Sequence, residues 1–158
     1  MMSVEINQTV PSFSLHSTSG EEVSIESFQG KNVVLYFYPK DDTPGCTQES
    51  IEFSQAQKEF AKHNTIILGL SRDTLKSHDK FKQKHALTCD LLSDIDQTVC
   101  HLFEVLKEKN MYGKKVIGIE RSTFLIDTKG TVRQIWRKVK VDGHVVEVLD
   151  AVKALSHG

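Results

Sequence analysis

Val33-Val34-Leu35-Tyr36-Phe37-Tyr38 is a continuous run of apolar, β-branched and aromatic residues that stops at Pro39. A run without polar alternation is typical of a strand that is covered on both faces of a sheet. Residues 65–71 have the same character, and the segment between the two runs, from Cys46 to about His63, carries apolar side chains at helical spacing. We therefore predict two buried strands separated by one helix, as in an α/β fold.

The remaining predicted elements continue this alternation of strands and helices. Short strands are predicted at 13–16, 23–25 and 91–92, a hairpin at 121–127 and 131–141, and helices at 75–86 and 145–155. A further helix is predicted from apolar residues at helical spacing, namely Val99, Leu102, Phe103 and Leu106. The charged run 107–109 is interpreted as its solvated end, and the basic run 133–140 as the exposed face of the last strand. The pattern predicts a three-layer α/β sandwich that residues 1–158 form as a single domain.

The composition of the chain argues against several classes of partner. The 158 residues include 20 Lys and Arg against 21 Asp and Glu, so no net field would attract nucleic acid or an anionic membrane. No apolar stretch is long enough to span a bilayer, and the amino terminus lacks the basic, apolar and small-residue order of a signal peptide. We therefore expect a cytoplasmic protein. We also expect a monomer, because no apolar stripe is left over for a second subunit.

The cysteines are the first functional signal. The chain has three, at Cys46, Cys89 and Cys100, and an odd number does not form a paired disulfide framework. There is no Cys-x-x-Cys pair and there are no clustered histidines, so no metal site is predicted. In a reducing compartment, such a set of cysteines points instead to a reactive thiol.

The loop Thr43-Pro44-Gly45-Cys46 places one of these cysteines at the start of a helix. Thr43 is a favourable N-cap residue, and Pro44 suits the first helical position, where its missing N–H needs no partner. Cys46 then lies in the first turn, where free backbone N–H groups and the positive end of the helix dipole favour a thiolate. The thiolate is the nucleophilic form of cysteine. The same N–H groups could bind the oxygen atoms of a small peroxide.

Attack on an O–O bond also requires donors that stabilise the departing oxygen. The Thr43 hydroxyl and the Cys46 backbone N–H are two such donors, and a guanidinium would complete the set. Arg72 follows one predicted strand and Arg121 begins another. The spacing of the residues leaves both arginines open as the third donor.

The segment around Cys46 resembles the active site of a known family. The pattern Pro39-x-x-x-Thr43-x-x-Cys46 is similar to the peroxiredoxin signature. The flanking residues resemble the branch called bacterioferritin comigratory protein, or peroxiredoxin Q. These flanking residues are 36–40 and 43–47, and further segments similar to that branch lie at 91–94 and 118–127. The resemblance covers nearly the whole chain, from about Pro11 to the terminal helix.

The resemblance implies a thioredoxin-like fold with a central mixed sheet, and peroxidase activity on hydrogen peroxide or organic hydroperoxides without a metal or another cofactor. It implies that Cys46 is the peroxidatic cysteine and that Pro39 shields the pocket. Thr43 and Arg121 would donate hydrogen bonds to the peroxide and the thiolate. Glu49, one helical turn after Cys46, would orient Arg121. The sulfenic acid formed at the cysteine would be recycled by thioredoxin or another thiol reductant.

A resolving cysteine is absent from the two positions where this branch commonly has one. Many members carry it five residues after the peroxidatic cysteine, where this chain has Ile51. Others carry it in the helix predicted at 75–86, which contains no cysteine. Cys89 or Cys100 could form an internal disulfide if its Cα can approach that of Cys46 within about 7 Å. The alternative is that both are buried apolar residues and that an external thiol resolves Cys46.

Two alternative functions use the same fold or the same cysteine. A disulfide oxidoreductase of the thioredoxin type would need a Cys-x-x-Cys pair, but Thr43 occupies the position of the first cysteine. A non-enzymatic redox sensor or chaperone could use Cys46 as a switch. Turnover with a reductant would distinguish a sensor from a peroxidase, because a sensor reacts once per protein.

Overall fold

The computed structural model describes residues 4–156, apart from the side chains of Met111 and Ser156, and its centre is a seven-stranded sheet. The strands of the described residues are β1 Ser14–Ser17, β2 Glu22–Ser24, β3 Asn32–Phe37, β4 Thr65–Ser71, β5 Asp90–Ser93, β6 Leu106–Met111, β7 Lys114–Ile119, β8 Ser122–Ile126 and β9 Val132–Trp136. The order in the main sheet is β2-β1-β5-β4-β3-β8-β9, and β6 and β7 form a separate hairpin.

Strand β3 lies between β4, with which it pairs in parallel, and β8, with which it pairs antiparallel. All of its residues are buried. Because successive side chains of a strand point to opposite faces, Val33, Leu35 and Phe37 join one apolar cluster, whereas Val34 and Tyr36 join another. The predicted buried strand and the predicted mixed sheet are both confirmed.

The helices cover both faces of this sheet. The α-helices of the described residues are α1 Pro44–Lys62, α2 Leu75–His85, α3 Thr98–Leu102 and α4 His144–Ser156. Phe53 of α1, Phe81 of α2 and Val148 of α4 pack in the cluster that contains Tyr36, whereas Val99 of α3 packs in the opposite cluster. The architecture is therefore the expected thioredoxin-like α/β sandwich. Over residues 4–156, no helix combines the length and the apolar character needed to cross a membrane.

The helix predicted from Val99 to Leu106 is wrong in its second half. Helix α3 ends at Leu102, and Leu106 begins strand β6. Between them, Glu104 has a left-handed backbone conformation with φ of 55°, which a right-handed helix does not accommodate. The apolar spacing that indicated a longer helix arises because both the short helix and the chain that follows it face the core.

The hairpin of β6 and β7 was not expected from the sequence. Its two-residue turn, Tyr112 and Gly113, has positive φ at both positions, which is typical of tight hairpins. The run 107–109, interpreted as a solvated helix end, lies inside β6. Since these strands pair with each other and β7 is mostly exposed, they lack the apolar pattern that identified the other strands.

The last strand is shorter than predicted, because β9 ends at Trp136 rather than near 141. Only the first part of the basic run 133–140 therefore lies on a strand face. The backbone N–H of Val139 donates to the Arg121 carbonyl at 3.0 Å. This bond holds the segment that leads to α4 beside the start of β8.

Candidate active site

Cys46 lies in the first turn of α1, directly after the loop that follows β3. Thr43 has the extended backbone angles of an N-cap residue (φ −94°, ψ 153°), and Pro44 is the first helical residue. Cys46 is 1% exposed. The helix start that the sequence predicted is therefore present, and it holds the thiol at the edge of the sheet where β3 ends.

The Thr43 hydroxyl does not cap this helix. Its Oγ1 donates to the Lys40 carbonyl at 2.8 Å, and within the described residues it accepts no hydrogen bond from a helix N–H group. The hydroxyl hydrogen is therefore engaged by the loop. In this conformation Thr43 can offer its oxygen as an acceptor, whereas from the sequence we expected a donor.

Arg121 is the arginine that reaches Cys46. Its Nη2 donates to the Cys46 Sγ at 3.3 Å, and its Nη1 donates to Glu49 Oε1 at 2.7 Å. The position of Arg121 follows from strand pairing, because Phe37 at the end of β3 is the partner of Ser122 at the start of β8. The residue before β8 is thereby brought to the loop that carries the cysteine.

Arg72, the other arginine that the sequence left open, is directed elsewhere. Its Nη1 donates to Gln97 Oε1 at 3.3 Å, beside the start of α3. Strand β4, which ends just before Arg72, is also a neighbour of β3. Spacing along the chain therefore does not distinguish the two arginines. The direction of their side chains does, because that of Arg121 reaches Cys46 and that of Arg72 reaches Gln97.

Gly45 belongs to the site although sequence reasoning assigned it no role. A Cβ atom at this position would lie 3.1 Å from Arg121 Nη2, which is closer than ordinary van der Waals contact. The absence of a side chain at Gly45 lets the guanidinium lie against the first turn of α1. No feature of the sequence indicates this contact, because Gly45 and Arg121 are distant along the chain.

Glu49 is a buried carboxyl one helical turn after Cys46. Burial raises its pKa from 4.5 to about 7, and the charge and hydrogen bond of Arg121 offset this only in part. Among the described residues its second oxygen, Oε2, has no hydrogen-bond partner. Burial alone would lower the pKa of Arg121, but the neighbouring Glu49 and Cys46 outweigh it and raise that pKa.

We predict that Glu49→Gln changes how stability depends on pH. The folded-state pKa of about 7 lies above the ordinary value of 4.5, so the carboxyl favours folding below the ordinary value and loses that contribution as the pH rises through the folded value. As the pH rises from the ordinary pKa to the folded-state pKa, the free energy of unfolding of the wild type should fall by about 3 kcal/mol relative to that of Glu49→Gln. Urea unfolding at about pH 5 and about pH 8 measures the difference. A constant difference between the two proteins would contradict the raised pKa.

His144 also lies near the guanidinium, and the sequence did not single it out. It is the first residue of α4 and is 4% exposed, and its Nε2 lies 2.8 Å from the Thr123 hydroxyl. The pKa of His144 is lowered to about 4, mainly by burial; the charge of Glu147 opposes this in part, and the charge of Arg121 adds to it. A neutral ring at this position adds no second positive charge beside the guanidinium.

The remaining predicted residues are Pro39 and the two other cysteines. Pro39 lies two residues after the end of β3 and is half-buried. Cys100 belongs to the apolar cluster on the face of the sheet opposite Cys46. Cys89 follows Thr88, and the Thr88 N–H donates to Ser54 on α1 at 3.0 Å; this part of α1 is about 12 Å from Cys46 along the helix axis.

Both of these cysteines are free and buried. Burial raises the pKa of Cys89 to about 11, and burial also raises the pKa of Cys100. Neither is therefore a thiolate at neutral pH in the folded protein. A disulfide with Cys46 would need a Cα separation below about 7 Å.

Comparison with known proteins gives consistent results. The sequence model of the AhpC/TSA family matches residues 6–135. The peroxiredoxin Bcp of Bacillus subtilis is 46% identical over 98% of this chain and 99% of its own length. A Cys-to-Ser mutant of Xylella fastidiosa PrxQ superposes with a TM-score of 0.92 at 42% identity, covering 97% of this chain and 98% of its own.

A second solved structure bears on chemistry. The bacterioferritin comigratory protein of Xanthomonas campestris, described in a study of its alkyl peroxide reduction activity with trapped intermediate and ligand complexes, superposes with a TM-score of 0.87. It is 49% identical and covers 91% of this chain and 92% of its own.

Proposed function

This chain belongs to the AhpC/TSA family and, within it, to the peroxiredoxins of the Bcp and PrxQ type; it is a thiol peroxidase, for which we propose Cys46 as the peroxidatic cysteine. The observation that carries the assignment is the guanidinium of Arg121, which contacts both Cys46 and Glu49. It places a positive charge beside a buried sulfur that must attack as an anion.

The reaction begins when the Cys46 thiolate attacks the terminal oxygen of a hydroperoxide, ROOH. The S–O bond forms as the O–O bond breaks, and the electron pair leaves with RO⁻, which takes up a proton to give the alcohol or water. Cys46 becomes a sulfenic acid. A thiol then attacks the sulfenic sulfur, which releases water and forms a disulfide, and a second thiol reduces this disulfide and restores Cys46.

The surrounding residues have distinct proposed roles. The Arg121 guanidinium and the Cys46 backbone N–H stabilise the oxygen that gains negative charge. The Thr43 oxygen accepts the hydrogen of the peroxide O–H, since its own hydrogen is bound to Lys40. Glu49 holds Arg121 in place, and Pro39 forms a wall of the pocket that limits the access of water.

We propose that an external thiol resolves Cys46. Cys100 lies across the sheet, and Cys89 lies beside a part of α1 two turns from the active site. Thioredoxin or another thiol is the proposed reductant, and hydrogen peroxide and organic hydroperoxides are the proposed substrates. The proposal also includes a single domain over residues 1–158, a monomeric state and a cytoplasmic location, on the sequence grounds given above.

Intact mass and thiol counting after one equivalent of hydrogen peroxide test this cycle. We expect wild type, Cys89→Ser and Cys100→Ser each to gain one oxygen, located at Cys46, because neither other thiol is positioned to displace it. A loss of two hydrogens that disappears in one of the mutants would instead identify that cysteine as an internal resolver. An oxygen found on another residue would contradict the assignment of Cys46.

A further inference from the structure

A buried carboxylate ties the loop before Cys46 to helix α2. Asp41 is 7% exposed, and its Oδ1 accepts from the Tyr38 hydroxyl at 2.6 Å. Its Oδ2 accepts from the Ser77 hydroxyl at 2.7 Å and lies 2.8 Å from His78 Nδ1. Ser77 and His78 lie in the first turn of α2. This helix carries none of the proposed catalytic residues, and its first turn holds the loop through Asp41.

The His78 ring has polar partners at both nitrogens although it is fully buried. Its Nε2 lies 2.8 Å from the Leu92 carbonyl, and since a carbonyl can only accept, this nitrogen must carry a hydrogen. Its Nδ1 faces the Asp41 carboxylate. The Tyr38 hydroxyl lies 3.4 Å from the same nitrogen. Removing Asp41 or His78 takes a hydrogen-bond partner from the other inside the protein, where such a loss is costly.

The peptide unit between Lys40 and Asp41 connects this pair to the active site. The unit is planar, so its C=O and N–H groups cannot turn independently. The Asp41 N–H donates to Asp73 Oδ2 at 2.8 Å, and the Lys40 carbonyl accepts from the Thr43 hydroxyl at 2.8 Å. Displacing Asp41 therefore turns the Lys40 carbonyl, which is the acceptor that orients the Thr43 hydroxyl.

We propose that Asp41 and His78 are positioning residues of the peroxidase reaction, which act on the surroundings of Cys46 through the Lys40–Asp41 peptide and Thr43. The proposal rests on the proposed role of Cys46. Asp41, Asp73 and His78 also present ligand atoms within 4.8 Å of one another. Both carboxylates and the ring already have hydrogen-bond partners, so the cluster is satisfied as a hydrogen-bond network.

Asp42 provides a matched control in the same loop. Its carboxylate binds Lys84 Nζ at 2.7 Å and His85 Nε2 at 2.8 Å. Both residues lie on α2, as Ser77 and His78 do, but Asp42 is exposed. Exposed ion pairs contribute little, and asparagine tolerates the positive φ of 61° at this position. Asp42→Asn should therefore keep the peroxidase rate within about twofold of wild type.

The test measures the second-order rate constant for oxidation of Cys46 by hydrogen peroxide, with circular dichroism to confirm folding. We expect Asp41→Asn and His78→Gln to lose about 10- to 100-fold, since a displacement of about 1 Å can cost about 100-fold. Because the two residues act through one contact, the double variant should lose no more than the worse single variant. Losses that multiply in the double variant would overturn the proposal.

Alkylation of Cys46 by iodoacetamide distinguishes positioning from a general loosening of the loop. Alkylation does not need Thr43, so its rate should stay near that of wild type in Asp41→Asn and His78→Gln. A loosened loop would expose the buried thiol and accelerate alkylation, which would overturn the positioning role. If either variant fails to fold, Ser77→Ala removes only one hydrogen bond from Asp41 and should lose about two- to fivefold in peroxide rate.

Cys46→Ser, measured in parallel, keeps the two proposals distinct. If Cys46→Ser is inactive while Asp41→Asn, His78→Gln and Ser77→Ala all remain within about twofold of wild type, the positioning role is overturned and the assignment of Cys46 stands. If Cys46→Ser retains wild-type activity, the assignment of the peroxidatic cysteine fails, and with it the basis of the positioning role.

Discussion

Cys46→Ser should reduce peroxide consumption to the rate of the buffer, because serine has no low-energy anion with which to attack an O–O bond. The substitution replaces one buried atom in the first turn of α1 and removes neither Arg121 nor Glu49, so the fold should persist. The measurement is consumption of hydrogen peroxide in the presence of dithiothreitol, with folding followed by circular dichroism.

Cys89→Ser and Cys100→Ser are the matched controls for this experiment. Both residues are buried, as Cys46 is, so the three variants make the same chemical change in comparable surroundings. We expect the two controls to retain most of their peroxidase activity if they remain folded. Substantial turnover by Cys46→Ser, or complete inactivity of a folded control, would contradict the proposed mechanism.

Arg121→Ala should lower the second-order rate constant with hydrogen peroxide by about 10²- to 10³-fold, which is the effect of removing one donor from an oxyanion site. Among the described residues, the guanidinium is the group that donates a hydrogen bond to the Cys46 sulfur. Arg121→Lys should recover part of the loss, since an ammonium keeps the charge but lacks the planar fork that reaches Cys46 and Glu49 together.

The effect of Arg121→Ala on the free energy of unfolding must be measured separately from its effect on the peroxidase rate. Arg121→Ala leaves the buried Glu49 without its partner, which can cost about 3–5 kcal/mol where the carboxyl is ionised. The cost is smaller at neutral pH, because loss of Arg121 raises the pKa of Glu49 further and the carboxyl takes up a proton. The double variant Arg121→Ala/Glu49→Gln removes that charge and should recover stability but not activity. Arg72→Ala, at the arginine that binds Gln97 instead, should remain within about twofold of wild type. A similar loss in both arginine variants would contradict a specific role for Arg121.

The sequence by itself determined the elements that depend on local pattern. The apolar run that became β3, the buried strand β4 and the helix start at Thr43 and Pro44 all follow from side-chain periodicity and from the backbone preferences of single residues. The hairpin of β6 and β7 did not follow, because its strands are largely exposed and pair mainly with each other. Its signal was confined to the turn at Gly113.

Tertiary structure decided which distant side chains meet where residue spacing could not. Arg72 and Arg121 were equivalent by spacing, and the resemblance to a known family favoured Arg121. The antiparallel pairing of β3 with β8 is what brings Arg121 to Cys46. The contact between Asp41 and His78 was likewise invisible, because it joins a loop to a helix through a buried network. Periodicity reports which face of an element is buried, whereas strand order, register and side-chain direction decide what that face meets.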